Sequence, residues 1–246
     1  MTALDGGLYA QALAAFGRSV NPTAIFAISA HWQEPDIRVS SAARPELIYD
    51  FGGFPRELYE LKYPAPGSPP LADEVVDRLR SAGFDATLDQ SRGWDHGVWV
   101  PLRLMFPEAK IPIVEISLPM NWWPQELYRV GAALQMFRRR GVLVLGSGGI
   151  VHNLRLMNWQ DRDVAQDAWA FEFQNWVAAA IARHDLTSLY AYETQARDAA
   201  KAVPTPEHFA PLFPVLGAAG EYSAVKPIYA GIEHGNMSMY SFQLLG

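Results

Sequence analysis

Three apolar runs of strand length, separated by segments with helical spacing, constrain the fold of this chain more than any other feature. The runs cover residues 24–29, 111–117 and 142–145. Short continuous apolar runs are typical of strands buried on both faces. Around them, apolar residues recur at helical spacing over 71–82 and 125–140. This alternation predicts an α/β fold: a single three-layer domain with a central mixed, mainly parallel sheet flanked by helices.

The remaining segments predict one domain over residues 1–246 and a long loop suited to binding. Further elements predicted from periodicity are helices over 7–17, 163–183 and 188–200 and a strand over 237–242. Residues 41–70 instead combine many Pro and Gly with five aromatic residues, and a long ordered loop is often a binding element. Neither a repeat nor a low-complexity tract marks a domain boundary.

Composition limits the partners and cofactors of the chain. Half of the 246 residues are apolar, which is enough for a sizeable core. The net charge of −6 argues against a nucleic-acid partner, and the one basic cluster, residues 138–140, is predicted at a helix C-terminus. Without cysteine, a metal would be held by His, carboxylate and water, which suits iron, manganese or zinc. Because neither a leader nor a run of transmembrane length is found, we expect a cytoplasmic protein without a membrane partner.

Two histidines come shortly after apolar strands. His31 follows the run 24–29, and His152 follows the run 142–145 and a glycine-rich turn. Open α/β sheets bind ligands at the carboxyl ends of their strands, and histidine is the usual metal ligand and acid–base group near neutral pH. Both are therefore candidate site residues, with a half-buried structural role as the alternative for His31. The glycine-rich turn does not predict a dinucleotide site, because the full G-x-G-x-x-G spacing is missing.

His208 and His96 lie outside these strands. His208 occurs in the segment 204–209, Pro-Thr-Pro-Glu-His-Phe, and His96 is preceded by an acid and followed by glycine. His96 is predicted either in a turn that hydrogen-bonds a substrate oxygen or as a cap of the next helix. A function is less favoured for His184, at a helix end, and for His234, in a turn. Since the chain has no Gly-x-Ser-x-Gly elbow, cysteine nucleophile or His-Glu-x-x-His helix, a site requires distant histidines to converge.

Five segments occur in an order that resembles a known family. They are residues 29–32 (SAHW), 94–102 (WDHGVWVPL), 146–154 (GSGGIVHNL), 206–209 (PEHF) and 235–239 (GNMSM). Together they resemble the DOPA 4,5-dioxygenase group of class III extradiol ring-cleavage dioxygenases, within the LigB-type superfamily. The resemblance covers essentially the whole chain, and five ordered motifs make it specific.

The resemblance implies a function and a role for each of the four candidate histidines. Family members are single α/β domains that bind a catecholate to non-haem Fe(II), admit O₂ and open the ring beside the diol. Zn(II) can occupy the same site. By this resemblance His31 and His208 are metal ligands, and His152 is the catalytic acid–base histidine, which can also touch the metal. His96 is then a catalytic residue in the substrate pocket.

Several catechols fit the resemblance equally well. DOPA, caffeate and protocatechuate-like acids are candidate substrates, and both the position of ring cleavage (4,5 or 2,3) and the oligomeric state stay open. The aromatic loop 49–63 and the tryptophans at 122–123 are candidates for the walls of the ring pocket, with core packing as the alternative.

One departure from the family pattern bears on activity. Family members begin with a strand that ends in Ser-His-Gly-Ser-Pro or a similar motif, whose histidine is another metal ligand, whereas no histidine precedes His31 here. We therefore expect that the chain lacks this strand and ligand, which would expose a sheet edge. It would be a poor or inactive dioxygenase unless Glu207, His234 or water replaces the ligand. The alternatives are a zinc-dependent hydrolase on the same fold and a non-catalytic binding protein.

Overall fold

Helices and strands alternate along residues 6–246, which are the residues that the computed structural model describes. The strands are β1 (Ala24–Ser29), β2 (Gln33–Glu34), β3 (Ile37–Ser40), β4 (Ala86–Asp89), β5 (Ile113–Glu115), β6 (Leu118–Pro119), β7 (Val142–Ser147), β8 (Ala224–Tyr229), β9 (Ile232–Glu233), β10 (Met237–Ser238) and β11 (Ser241–Leu245). The helices are α1 (Leu8–Ser19), α2 (Arg56–Glu60), α3 (Pro69–Ser81), α4 (His96–Met105), α5 (Pro124–Arg138), α6 (Ala168–Ala182), α7 (Leu186–Tyr190), α8 (Tyr192–Gln195), α9 (Ala199–Ala202) and α10 (Leu212–Ala219). A 3₁₀ turn covers Pro206–His208.

Strand β1 is the centre of a three-stranded parallel sheet in the order β5–β1–β7. Its Ile25 pairs with Ile113 on one side and with Leu143 on the other. All six residues of β1 are buried, as expected for a parallel strand covered on both faces. The three apolar runs of the sequence therefore form the central sheet, and the predicted parallel sheet is confirmed.

Helices cover both faces of this sheet. Phe26 and Ile28 belong to a core formed with α3, α5, α6 and α10, whereas Ile25 and Ala27 pack with α1 and α4. This division follows from the strand itself, because successive residues of a strand face opposite sides of the sheet. The predicted arrangement of a sheet between two helical layers is confirmed.

Four smaller two-stranded sheets accompany the central one, and a large cavity borders it. The pairs β2–β6 and β3–β4 are parallel, and the pairs β8–β11 and β9–β10 are antiparallel. Within residues 6–246, β7 pairs only along the edge that faces β1. A cavity of about 1000 Å³ lies beside β7 and is lined by residues of α1, α10 and β11. The second edge of β7 therefore borders a cavity rather than another strand.

The C-terminal third departs from the predicted elements. The single helix predicted over 188–200 is wrong: this segment forms α7, α8 and α9, because Ala191 leaves helical geometry and Asp198 adopts the left-handed conformation. The predicted helix over 163–183 begins only at Ala168, after a loop, and the strand predicted over 237–242 is divided into β10 and β11. None of the helices in residues 6–246 has both the length and the apolar character that crossing a membrane requires.

Candidate metal and substrate site

Four histidines that are far apart in sequence meet beyond the carboxyl ends of β1 and β7. The ring centroids of His31 and His96 are 4.0 Å apart, and those of His31 and His208 are 5.1 Å apart. His152 stacks on His208 at 3.4 Å, with an angle of 14° between the ring planes. The structure thus brings together all four histidines that the sequence names as candidates.

The end of β1 and the start of α4 position His31 and His96. The backbone N–H of His31 donates to Oγ of Ser29 at 3.2 Å. Asp95 caps α4 by accepting a hydrogen bond from the Gly97 N–H at 2.9 Å, so the cap is Asp95, and His96 is the first residue of the helix. A β-carbon on Gly97 would lie 2.5 Å from Oγ of Ser29. Glycine therefore allows β1 and α4 to approach closely.

The glycine-rich turn after β7 brings His152 next to the segment of His208. The Gly149 N–H donates to the carbonyl of His208 at 2.8 Å, and the His152 N–H donates to the carbonyl of Ala202 at 3.0 Å. A side chain on Gly148 would overlap the His208 carbonyl oxygen. The backbone of the turn after β7 therefore packs directly on the backbone of the His208 segment. This close packing requires glycine, so a bound nucleotide is not needed to explain the glycine-rich turn.

Asp50 is a site residue that the sequence reasoning missed. Its Oδ1 lies 2.8 Å from Nδ1 of His96 and accepts a hydrogen bond from the His96 backbone N–H at 3.0 Å. Its Oδ2 lies 3.5 Å from Nδ1 of His31. One carboxylate therefore contacts both imidazoles, and ligand atoms of His31, Asp50 and His96 all lie within 4.8 Å of one another. The only signal in the sequence is an acid inside the aromatic loop, which is too weak to assign a role.

Electrostatics favour neutral imidazoles beside an ionised carboxylate. Burial is the largest cause that lowers the pKa of His31, His152 and His208, and neighbouring imidazoles lower each further; the pKa of His208 falls to about 2. Burial acts to raise the pKa of Asp50, but the hydrogen bonds and charge of His96 outweigh it and lower that pKa to about 2. Neutral imidazoles and a carboxylate are the protonation states that bind a divalent cation.

The aromatic loop, and not the tryptophan pair, contacts the histidines. The ring of Phe51 meets His96 edge-on, with centroids 5.6 Å apart, and packs on Trp99 of α4. Trp122 instead stacks on Phe84, and Trp123 is exposed. The apolar wall next to His96 is therefore formed by the loop.

His234 and His184 have neighbours outside the four-histidine cluster, whereas the charge of Glu207 acts on His152 and opposes the lowering of the His152 pKa. Nδ1 of His234 lies 2.8 Å from the carbonyl oxygen of Asn158, and His184 stacks on Tyr222 with centroids 3.9 Å apart. Glu207 accepts a hydrogen bond from Oγ1 of Thr205 at 2.7 Å. A role for Glu207 or His234 as a metal ligand stays a prediction.

Comparison with known proteins agrees with this arrangement. The family model described as the catalytic LigB subunit of aromatic ring-opening dioxygenase matches residues 6–242. The chain belongs to this family. It is an aromatic ring-opening dioxygenase of the extradiol class, as its relatives indicate.

Relatives and a solved structure extend the match over nearly the whole chain. The chain is 40% identical to the 4,5-DOPA dioxygenase extradiol of Beta vulgaris over 226 residues, which cover 92% of this chain and 84% of the relative. It is 36% identical to the protein of that name from Escherichia coli K12 over 252 residues, covering 99% and 90%. The crystal structure of an uncharacterized protein from E. coli K12 superposes with a TM-score of 0.84 at 33% identity, covering 99% of this chain and 94% of the other.

Proposed function

We propose that this LigB-family enzyme inserts both atoms of O₂ into a DOPA-like catechol at a non-haem Fe(II) site. The observation that carries this proposal is the convergence of four histidines and Asp50 at the carboxyl ends of parallel strands. The relatives named 4,5-DOPA dioxygenase extradiol make DOPA the first substrate to test.

The side chains at the site fit a divalent metal ion. Ligand atoms of His31, Asp50 and His96 lie within 4.8 Å of one another, and His208 contacts His31. Imidazole and carboxylate donors suit Fe(II), and Zn(II) accepts the same set. In this proposal His31 and His208 are metal ligands, with Asp50 orienting His31. When bound, the ion supplies coordination positions for the diol oxygens and O₂, together with the redox chemistry of ring opening.

The stacking of His152 on His208 favours different roles for the two rings. An imidazole binds a metal through a lone pair in the plane of its ring. Two rings stacked at 3.4 Å and almost parallel cannot both direct such a lone pair at one ion. We therefore assign His208 to the metal and His152 to proton transfer, in preference to a role for His152 as a further ligand.

His152 and His96 have the protonation and contacts that proton transfer and substrate binding need. Burial lowers the pKa of His152, so its ring is neutral at pH 7 and accepts a proton from a diol hydroxyl. The contact between Nδ1 of His96 and Asp50 leaves Nε2 of His96 for a substrate oxygen. Phe51 beside His96 gives the aromatic ring of the substrate an apolar neighbour and excludes water there.

Oxygen uptake with a panel of catechols tests the proposal. The protein is loaded anaerobically with Fe(II), and uptake is followed together with absorbance of a yellow ring-opened product. We expect turnover that is lost in His152→Ala and retained in His184→Ala, a matched control whose ring stacks on Tyr222.

Three other outcomes of this experiment would contradict the proposal. Tight binding of zinc without oxygen uptake on any catechol would favour a hydrolase. A stable fold that binds no metal would favour a non-catalytic protein. Turnover that survives His152→Ala would overturn the assignment of the acid–base histidine.

A further inference from the structure

A cluster of the partly buried Arg92 and the buried Asp95 and Glu115 lies next to the segments that carry His31 and His96. Nη2 of Arg92 is 2.5 Å from Oδ2 of Asp95 and 3.5 Å from Oε1 of Glu115. The same nitrogen is 3.5 Å from the carbonyl oxygen of His31. Asp95 and Glu115 have only 1% and 0% of their surface exposed, so water stabilises a charge on either carboxyl only weakly.

Asp95 connects the cluster to both histidine segments. Its Oδ1 accepts hydrogen bonds from Oγ of Ser29 at 2.7 Å and from the Gly97 N–H at 2.9 Å. Oγ of Ser29 in turn accepts from the His31 N–H at 3.2 Å. One carboxylate thus joins the end of β1 to the first turn of α4, and Arg92 holds its other oxygen.

We propose that Arg92 is a positioning residue, whose guanidinium joins Asp95, Glu115 and the His31 carbonyl and thereby fixes His31 and His96 relative to each other. This inference rests on the proposed function, because it assigns Arg92 to the same site. The guanidinium of Arg92 makes its hydrogen bonds to Asp95, Glu115 and the backbone carbonyl of His31, so it acts through the two histidine segments. Nη2 makes all three contacts, so a single nitrogen at the end of a long side chain connects the three groups.

The charges of the cluster support this assignment. The buried carboxyl groups of Asp95 and Glu115 both face the guanidinium of Arg92. Burial raises the pKa of Glu115 well above its usual range, and the neighbouring Asp95 raises it further. Oε2 of Glu115 has no hydrogen-bond partner among residues 6–246, which a neutral carboxyl tolerates better than a carboxylate. The close contact of Arg92 is therefore with Asp95, and Glu115 completes the cluster at a longer distance, where burial favours its neutral form.

Two conservative substitutions in the cluster are expected to have different effects on His31 and His96. Arg92→Lys keeps the charge, but the lysine ammonium ends one bond short of the position of Nη2, so the link between Asp95 and the His31 carbonyl is weakened. Glu115→Gln keeps the shape and an oxygen that accepts from Nη2 of Arg92, and burial disfavours the charge that the substitution removes. Arg92→Lys is expected to disturb the histidines, whereas Glu115→Gln is the matched control and leaves them unchanged.

Two readouts that do not depend on turnover test the proposal. The first is Zn(II) affinity by chelator competition: we expect a loss of about 10- to 100-fold for Arg92→Lys, the range found for residues that support metal ligands, and a change below about twofold for Glu115→Gln. The second is the imidazole nitrogen NMR spectrum of the metal-free protein, in which the signals of His31 and His96 should shift only in Arg92→Lys. Circular dichroism confirms that each variant is folded.

The outcomes separate this inference from the proposed function. Unchanged Zn(II) affinity and unchanged imidazole signals in folded Arg92→Lys would overturn the role of Arg92, whatever the parent does with catechols. A parent without oxygen uptake, but with the expected shifts, would overturn only the proposed function. If Arg92→Lys does not fold, Arg92→Gln removes Nη2 from the same position, and in the folded variant it must shift the same signals; unchanged signals would overturn the role of Arg92.

Discussion

The backbone of Gly148 packs so tightly against the carbonyl oxygen of His208 that a β-carbon at residue 148 would overlap it. This contact fixes the distance between the turn after β7 and the segment that carries His208. The neighbouring Gly149 N–H holds the same carbonyl by a hydrogen bond of 2.8 Å. The stacking of His152 on His208 depends on this close approach.

A single methyl group at residue 148 should therefore disturb the site. We expect Gly148→Ala to lower the free energy of unfolding by about 1–3 kcal/mol, the usual cost of overpacking, and to weaken turnover as His208 moves. Gly52→Ala is the control, because a β-carbon there meets nothing within 4 Å, and it should change stability by less than about 0.5 kcal/mol. Urea denaturation measures both. Equal stability of the two variants would contradict the close packing at Gly148.

Asp50 should matter for the metal even though it is not among the ligands predicted from the sequence. Asp50→Asn keeps the shape of the side chain but removes the charge that faces Nδ1 of His31 and His96. Residues that orient ligating histidines typically contribute 10- to 100-fold to metal affinity, so we expect a loss of about that size in Zn(II) competition. Asp73→Asn makes the same change on the exposed face of α3 and should have no effect. Equal affinities in the two variants would exclude a role for Asp50 at the metal.

The sequence predicts the residues whose position follows from local pattern, and it misses those placed by contacts between distant segments. His31 and His152 were predictable, because each follows an apolar run that becomes a parallel strand, and the carboxyl ends of such strands meet. Asp50 lies 46 residues from His96, its hydrogen-bond partner, in an aromatic loop where nothing in the sequence distinguishes it from the other acids. Arg92 and Glu115 are likewise recognisable only once β5 lies next to β1.

Burial of the imidazoles gives the metal-free protein a defined pH dependence. In the folded state the pKa of His208 is about 2, and those of His31 and His152 are also lowered from 6.5. The unfolded chain therefore binds more protons below pH 6.5, and stability falls as the pH falls through this range. Each histidine contributes at most about 1.4 kcal/mol per pH unit.

Thermal unfolding of the metal-free protein at pH 7.5 and pH 5.5 measures this effect. We expect a lower midpoint at pH 5.5, and a smaller difference between the two pH values in His208→Gln, which removes one of the buried imidazoles. Asp50 does not contribute in this window, because its carboxylate is ionised at both pH values in the folded chain, where its pKa is about 2, and in the unfolded chain, where its pKa is the usual 3.8. The same pH difference in the parent and in His208→Gln would show that His208 is not buried as a neutral ring.

The stacked pair His152 and His208 should separate proton transfer from metal binding. Because only one of two parallel rings can direct a lone pair at a given ion, His208→Ala is expected to lower Fe(II) and Zn(II) affinity by at least about tenfold, as loss of a ligand requires. His152→Ala should keep metal affinity within about threefold but lower kcat by about 10²- to 10⁴-fold, the range for general acid–base groups. Chelator competition and oxygen uptake on the same preparations make the comparison. The reverse pattern, with metal lost in His152→Ala and kept in His208→Ala, would exchange the two roles and show that the turn after β7 supplies the ligand.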